Sequence, residues 1–456
     1  MLRPYQESII EQTREYMRQG IRSILITSPC GSGKTILSAY MLKAAESKNM
    51  AAWFTVHRRE LIKQSILAFN FVGVRHGIIA NGFMEAKKLP IQIAGIQSLI
   101  RRYQRFRSPK LIIWDECHHV ASKSWSMIFK AFPDAFHIGL TASPLRLDGA
   151  GLGNYFQKMV HGPSIDWLIQ NNFLSKYKIF APSRINTSGL HTRMGDFITE
   201  ELAALVDRPT ITGDAIKHYK KLCDGKRAVV FCCSIEHSKH VVSQFNAAGI
   251  PAAHVDGETD MMVRDREIKR FADGEIKVLS NVELFGEGFD LPAMEAVIML
   301  RPTQSLGMYI QQTGRVLRPA PDKEYAIILD HAGNCERHGL PDENRNWELG
   351  TDRISDKIKS GPSVKICPKC FAAQFSGKPV CLFCGYSFPV ESRKVDEKDG
   401  DLVEVNAEEL RKKRMAQGRC KTLEDLIAEG KRRGYKRPHL WAKYVFSARQ
   451  KRLVTV

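Results

Sequence analysis

No apolar run in the 456-residue chain approaches 18 residues, so no membrane-spanning helix is expected. The opening MLRPYQESIIEQ lacks the apolar stretch of a secretory signal, and an exported protein is not expected either. The eleven cysteines do not form a disulfide framework: seven are scattered and four make two close pairs near the C-terminus. A reducing, cytoplasmic compartment is the expectation. Carboxylates are in short supply, 49 Asp and Glu against 68 Lys and Arg, which leaves a net charge of +19. A surplus of that size points to a polyanionic partner, nucleic acid above all. No nuclease cluster stands out. What is plentiful is apolar sequence, 43% of the chain, enough for proper cores in about three domains.

The chain is organised around residues 23–38. Ser23 to Thr27 (SILIT) reads as a short buried strand, and Ser28-Pro29-Cys30-Gly31-Ser32-Gly33 as a turn. Lys34 and Thr35 then open a helix with Ile36, Leu37 and Tyr40 on its apolar face. Strand, glycine loop, Lys-Thr and helix is the layout of a phosphate-binding loop, with Ser28 where the strict pattern has glycine. Gly31 and Gly33 let the backbone curl, so that the amides of Gly31, Ser32 and Gly33 point at one anion. Lys34 reaches the β- and γ-phosphates of ATP and the Thr35 hydroxyl holds Mg²⁺. Upstream, Arg3-Pro4-Tyr5-Gln6 precedes a helix, and the Gln6 amide offers the donor and acceptor that reading adenine requires.

Further short apolar runs read as parallel strands with chemistry at their C-terminal ends, where α/β sheets hold ligands. Ala51 to Val56 leads to His57-Arg58-Arg59, placed to grip a phosphate backbone, and Ile91 to Ala94 leads to Gln97-Ser98. Leu111 to Trp114 ends on Asp115-Glu116-Cys117-His118. Downstream of a phosphate-binding loop, Asp115 can hold Mg²⁺ and Glu116 can orient and deprotonate the attacking water. Phe136 to Leu140 ends on Thr141-Ala142-Ser143-Pro144, and Lys176 to Phe180 reads as a strand before a domain boundary at residue 182. Residues 184–205 are polar and turn-rich, a mobile linker or a substrate-contacting insertion. A second sheet is expected from Arg227 to Cys233, Ala253 to Asp256, Lys277 to Ser280 and Ala326 to Asp330. Between the last two lies Gln311-x-x-Gly314-Arg315-x-x-Arg318, whose two arginines share one helix face and can point across a cleft at a γ-phosphate.

Past residue 335, the 336–362 stretch reads as a connection. Cys367-x-x-Cys370 and Cys381-x-x-Cys384 then suit a tetrahedral Cys₄ zinc site in a small ribbon at 363–390. A charged linker at 391–405 precedes a tail, 406–456, with fifteen Lys and Arg against five Asp and Glu. That tail also carries Tyr435, Trp441, Tyr444 and Phe446, a mixture that fits phosphate contacts and stacking.

Taken in order, RPYQ, SPCGSGKT, HRREL, GIQSL, DECH, TASP, the GFDLP end of 281–292 and QQTGRVLR resemble the superfamily-two DExH helicases and translocases over residues 3–335. The resemblance implies two tandem RecA-like parallel-sheet domains, 1–181 and 182–335, with ATP between them. It places Gly288 and Asp290 beside the nucleotide. It has Arg58, Arg59, Gln97 and Ser98 follow a nucleic-acid strand, and His118, Thr141, Ser143 and Gln311 couple strand to nucleotide. Ser280-Asn281 stands where relatives often have Thr-Asp. With the four cysteines and the basic tail, the chain is similar to bacterial and phage RadD-type DNA-repair helicases. That likeness implies ATP, Mg²⁺ and Zn²⁺ as cofactors. It also implies single-stranded, forked or branched DNA as substrate, a single-strand-binding protein as partner, and a monomer in a bacterial or phage-infected cell.

Overall fold

The computed structural model describes residues 2–146, 150–181, 187, 189–193, 195–207, 209–282, 284, 294–321, 323–350, 364–389, 415–417, 420, 422–435 and 437–453. They fall into two compact units, 1–389 and 390–456. Among the described residues no helix is long and apolar enough to cross a membrane.

The first unit holds two parallel sheets. The first runs β1 (Ser23–Thr27), β2 (Ala52–Val56), β3 (His76–Ile79), β4 (Ile91–Gly95), β5 (Leu111–Trp114), β6 (Phe136–Thr141) and β7 (Lys158–His161) in chain order. In space the order is β3-β4-β2-β5-β6-β1-β7. β1, β2 and β5 are buried along their whole length, as strands covered by helices on both faces must be. Register decides what meets at the C-terminal edge. Thr27 pairs with Thr141, Trp114 with Gly139, and Thr55 with Trp114. The loops after β1, β2, β5 and β6 therefore leave the sheet side by side.

The second sheet contains β8 (Lys176–Phe180), β11 (Ala228–Phe231), β12 (Ala252–Val255), β13 (Val278–Asn281), β14 (Ala296–Met299) and β15 (Tyr325–Asp330), in the order β12-β13-β11-β14-β15-β8. The sequence assigns Lys176–Phe180 to the first domain. In the structure this strand pairs with β15, and the preceding Ile165, Leu168 and Leu174 lie in the second lobe's core. The polar stretch before residue 205 folds into a small hairpin, β9 (Thr192–Arg193) with β10 (Asp196–Phe197), and a helix Thr199–Val206. Asp196 fastens it to the second lobe by accepting from Thr303 Oγ1 at 3.0 Å and Gln304 N at 2.7 Å.

A two-stranded ribbon, β16 (Val364–Ile366) and β17 (Ala373–Phe375), closes the first unit. It is fused to the second lobe: Ala181 N donates to Phe371 O, and Cys367, Ala372, Cys381 and Phe388 share a core with Ala215, Tyr219 and Phe245. In the second unit, helices Leu423–Arg432 and Pro438–Leu453 form a hairpin. Gly430 leaves room for Pro438 and Trp441, since a Cβ there would sit 3.0 Å from each. The charged linker 391–405 lies outside the described residues.

Candidate nucleotide site and cysteine cluster

The loop after β1 is built to curl. Gly31 and Gly33 have φ of 81° and 82°, the left-handed region that glycine adopts at no steric cost. Gly33 caps the helix Lys34–Ser47, so the loop amides and the helix N-terminus share one side. Ser28 replaces the expected glycine with a brace: its Oγ lies 2.7 Å from Ser32 Oγ, which donates to Pro29 O at 2.7 Å. Lys34 Nζ donates to Ser28 O at 3.1 Å, curled over the cradle that a phosphate would fill. Thr35 follows at the first turn of that helix.

Gln6 is buried and divides its amide between two chain segments. Nε2 donates to Ser32 O and Gly33 O at 3.1 and 3.3 Å, and Oε1 accepts from Arg3 N at 2.9 Å. Tyr5 Oη adds a second clamp on Ser32 O, at 2.7 Å. Sequence reading passed over Tyr5, although its place beside Gln6 in RPYQ was signal enough.

Asp115 and Glu116 stand at the end of β5, both buried. Glu116 has φ 49°, a strained value for a residue with a side chain. Burial, with the charge of Glu116 added, pushes the Asp115 carboxyl up, and Lys34 and His57 pull it part of the way back. A divalent cation would relieve that same strain of charge. His118 Nδ1 sits 3.4 Å from both Glu116 Oε2 and Thr141 Oγ1, and Thr141 Oγ1 donates to Ser143 O at 2.7 Å. The acidic pair and the Thr141–Ser143 loop are thus connected through one imidazole.

The second lobe completes the cleft. The helix Leu306–Val316 carries Gln311, Gly314 and Arg315, all buried, and Arg318 follows it. A Cβ on Gly314 would lie 2.8 Å from Cys30 Cβ, and one on Gly31 would lie 3.4 Å from Arg318 Cγ. A Cβ on Gly307 would lie 2.9 Å from Ser143 Oγ. The phosphate-binding loop, the acidic pair, the Thr141–Ser143 loop and the arginine helix therefore converge, which is the arrangement needed to hold and cleave a nucleoside triphosphate.

The residues read as strand contacts are divided. Gln97 is exposed near the start of the helix Ile96–Arg102, and Ser98 is buried. Arg58 Nη1 donates across the cleft to Leu284 O at 3.2 Å. Arg59 reaches toward Gly82 and Phe83. Beside them Glu60 pairs with Arg264 at 2.8 Å and Lys63 with Asp265 at 3.5 Å, ion pairs between lobes that sequence reading had no signal for. Asn281 ends β13 and donates to Val230 O at 2.8 Å. Gly288 and Asp290 lie outside the described residues.

The four thiols of Cys367, Cys370, Cys381 and Cys384 lie within 4.8 Å of one another, with Cys367–Cys384 at 3.6 Å and Cys370–Cys381 at 3.7 Å. Tetrahedral zinc with Zn–S of about 2.3 Å sets sulfurs about 3.8 Å apart, so the cluster fits that ion. Each pair sits in the same tight turn: Phe371 N donates to Cys367 O and Gly385 N to Cys381 O, with φ of 62° and 70° at the two donors. Phe383 sits against Phe180 and Phe371 against His218, and Phe383 and Phe371 each keep more than a third of their surface exposed.

Known proteins resemble the chain in the same parts. A family model for the type III restriction enzyme res subunit matches residues 1–146, and one for the helicase conserved C-terminal domain matches 214–320. A 51.5 kDa protein of a Lactococcus phage (isolate 7-9) is 33% identical over 373 residues, 81% of this chain and 79% of the phage protein. The DNA 3′-5′ translocase XPB2 of Sulfurisphaera tokodaii is 24% identical over 368 residues, 70% of this chain and 81% of that one. Among solved structures, a Vibrio vulnificus YJ016 fragment provisionally described as an HsdR subunit of a type I restriction enzyme superposes with a TM-score of 0.59. It covers 74% of this chain and 66% of that one at 24% identity, a likeness of fold.

Proposed function

We propose, from the premise that the chain belongs to the superfamily-two ATP-dependent helicases and translocases, that it is a motor on DNA serving repair, recombination or replication. The observation that supports this reading is the convergence of the phosphate-binding loop, Asp115-Glu116 and the arginine helix at one cleft between two lobes. Lys34 and the amides of Gly31, Ser32 and Gly33 hold the phosphates, and Gln6, its Nε2 engaged with the loop, has a second lone pair on Oε1 to accept from the adenine amino group. Thr35 and Asp115 hold Mg²⁺, which would neutralise phosphate charge. Glu116 takes the proton of the attacking water, and Arg315 and Arg318 face the charge that spreads over the γ-phosphoryl. His118, Thr141, Ser143 and Gln311 carry the nucleotide state to Arg58, Arg59, Gln97 and Ser98 on the strand. Arginines divided from the acidic pair by a cleft act only when the lobes close, and that alternation drives movement.

DNA is favoured over RNA because the archaeal relative is a DNA 3′-5′ translocase. The net charge of +19 and the basic tail suit either polymer. The Cys₄ cluster holds zinc as a structural ion. The RadD-type assignment, a single-strand-binding-protein partner and a monomeric state belong to the same proposal. A second reading, the motor of a restriction system, draws on the family model matched by residues 1–146. In that reading the chain supplies the motor and a partner supplies the cleavage.

The test is ATP hydrolysis by the zinc-loaded chain with single-stranded DNA, duplex, forked DNA and RNA, with Lys34→Ala as the blank. Stimulation by DNA is expected. Stimulation by RNA alone would overturn the DNA reading.

A further inference from the structure

The arginine helix ends without helical partners for its last carbonyls, as every helix does. Here one side chain takes the last of them and reaches two carbonyls outside the helix. Lys323 Nζ donates to Val316 O, to Arg318 O at 2.8 Å and to Met294 O at 3.0 Å. Met294 lies just before β14 (Ala296–Met299) in the second sheet. The ammonium group therefore ties both the last turn of the helix and the residue beyond it to the sheet below. Ser175 supports the same turn, its N donating to Leu317 O at 2.7 Å and its Oγ to Arg318 O at 3.4 Å. A cation is well suited to this place, because the carbonyl end of a helix carries partial negative charge.

We propose that Lys323 is a positioning residue for ATP cleavage, setting where Arg318 and Arg315 stand against the phosphate-binding loop. The inference rests on the reading of those arginines given above. Lys323 makes its contacts with backbone carbonyls. It acts through the backbone of residues 316–318, and Arg318 Cγ is near enough that a Cβ on Gly31 would lie 3.4 Å from it. Charge stabilisation falls off when a donor is displaced by about 1 Å, so a slack helix end weakens catalysis while leaving the phosphate cradle in place.

The geometry has a pH consequence. Burial brings the Lys323 ammonium down to about 8, with the Glu295 carboxylate pulling the other way. Glu295 is itself paired with Lys226 at 3.3 Å and Arg227 at 3.9 Å. Lys323 Nζ also meets the carbonyl of Arg318. Deprotonation leaves a neutral amine with two hydrogens for three carbonyls, so the grip loosens as the pH rises through 8.

The experiment is single-turnover ATP cleavage from pH 6.5 to 9.5 with saturating single-stranded DNA. It compares the wild-type chain with Lys323→Met, Lys323→Arg and Arg318→Ala. Lys323→Met should lose roughly tenfold or more in rate, with KM for ATP within about threefold of wild type and little pH dependence near 8. Lys323→Arg keeps its charge at every pH used, so it should retain most of the rate and lose the alkaline decline. If Lys323→Met cleaves ATP as fast as wild type, or if Lys323→Arg declines at the same pH as wild type, the inference is overturned. Should the methionine variant fail to fold, the arginine variant's alkaline limb decides. Arg318→Ala separates the two levels. If it leaves the rate unchanged, the reading of the arginines is wrong and this inference falls with it. If it abolishes cleavage while the Lys323 variants behave as wild type, only the positioning role is lost.

Discussion

Gly314 shows how little room separates the second lobe from the phosphate-binding loop. An added methyl group would come within 2.8 Å of Cys30 Cβ, with Cys30 Sγ at 3.5 Å. The position is helical, so alanine there is favoured by local propensity, and the collision is the whole of its effect. Gly314→Ala should therefore fold normally and cleave ATP about tenfold more slowly, by pushing the arginine helix off the loop. Cys30→Gly in the same chain should restore part of the rate, and an unchanged ATPase in the single variant would refute the contact. Asp256 makes a different point. Ser238 Oγ, His254 and Asp256 form a hydroxyl–imidazole–carboxylate chain with separations of 2.6 and 3.0 Å, the order found in hydrolases. Yet Ser238 is wholly buried on a helix, where no substrate reaches it, so the chain is a brace. Although desolvation works against it, Asp256 is held at about 2 by hydrogen bonds from Thr259 and His254. A depressed carboxyl contributes stability above its unfolded value near 4 and loses it as the pH falls toward 2, here on the order of 2 kcal/mol. The melting-temperature gap between wild type and Asp256→Asn should thus be widest at pH 6 and shrink to about half of that at pH 3. An equal gap at both would mean the carboxylate's charge is not what stabilises the turn.

At the scale of elements, legibility in the sequence follows how local the cause is. β1, β2, β5 and β11 are continuous apolar runs because both faces are covered, and such runs announce themselves. The turn around Gly31 and Gly33 is equally local. β8 is not: KYKIF alternates enough to be a strand, but nothing in five residues states which sheet it joins. That choice is made by Leu168, Leu174 and Ile179, which find the second lobe's core across more than a hundred residues. The ion pair of Glu60 with Arg264 and the bond of Arg58 to Leu284 O are invisible for the same reason, since each spans more than 200 residues. The Cys₄ spacing was legible; its fusion to the second lobe was not, because Phe180 and Tyr219 look like ordinary core residues of another domain. The shared core carries a prediction. Removing the metal with a chelator should lower the melting temperature of the second lobe itself, by at least about 5 °C, since binding energy of such sites is folding energy. Loss of zinc with no change in that transition would show that the ribbon melts alone.

For the whole molecule, the stretch 338–350 ties one lobe to the other away from the nucleotide. Arg345 knots it internally, donating to the carbonyls of His338, Leu340, Pro341 and Glu343. Tyr309, on the arginine helix, donates to Gly339 O at 2.8 Å, and Tyr177 to Asp342 Oδ1 at 2.5 Å, so the strap begins on the second lobe. It ends on the first. Trp347 packs against the second lobe's core, Leu349 against the cluster of Leu152 and Phe156, and Gly153 N donates to Gly350 O at 2.9 Å. The strap is seated by the absence of a side chain, because a Cβ on Gly151 would lie 2.0 Å from Gly350 O, a backbone atom that cannot swing aside. Gly151 has no left-handed φ, so a larger residue there meets a steric obstacle and no backbone one. Gly151→Val should unseat residues 349–350 while leaving both cores intact. Limited proteolysis should then cut at Arg345 several-fold faster than in wild type. Arg345 is held by the strap's own fold, and its opening cost should fall when the far end is released. Because the strap joins the arginine helix to the first lobe, the same variant should also bind ATP more weakly at equal DNA concentration, as closure would have to be achieved without that tether. Unchanged cutting at Arg345 would mean the strap is anchored wholly on the second lobe, and the two lobes would then be coupled through the nucleotide cleft and its neighbouring ion pairs.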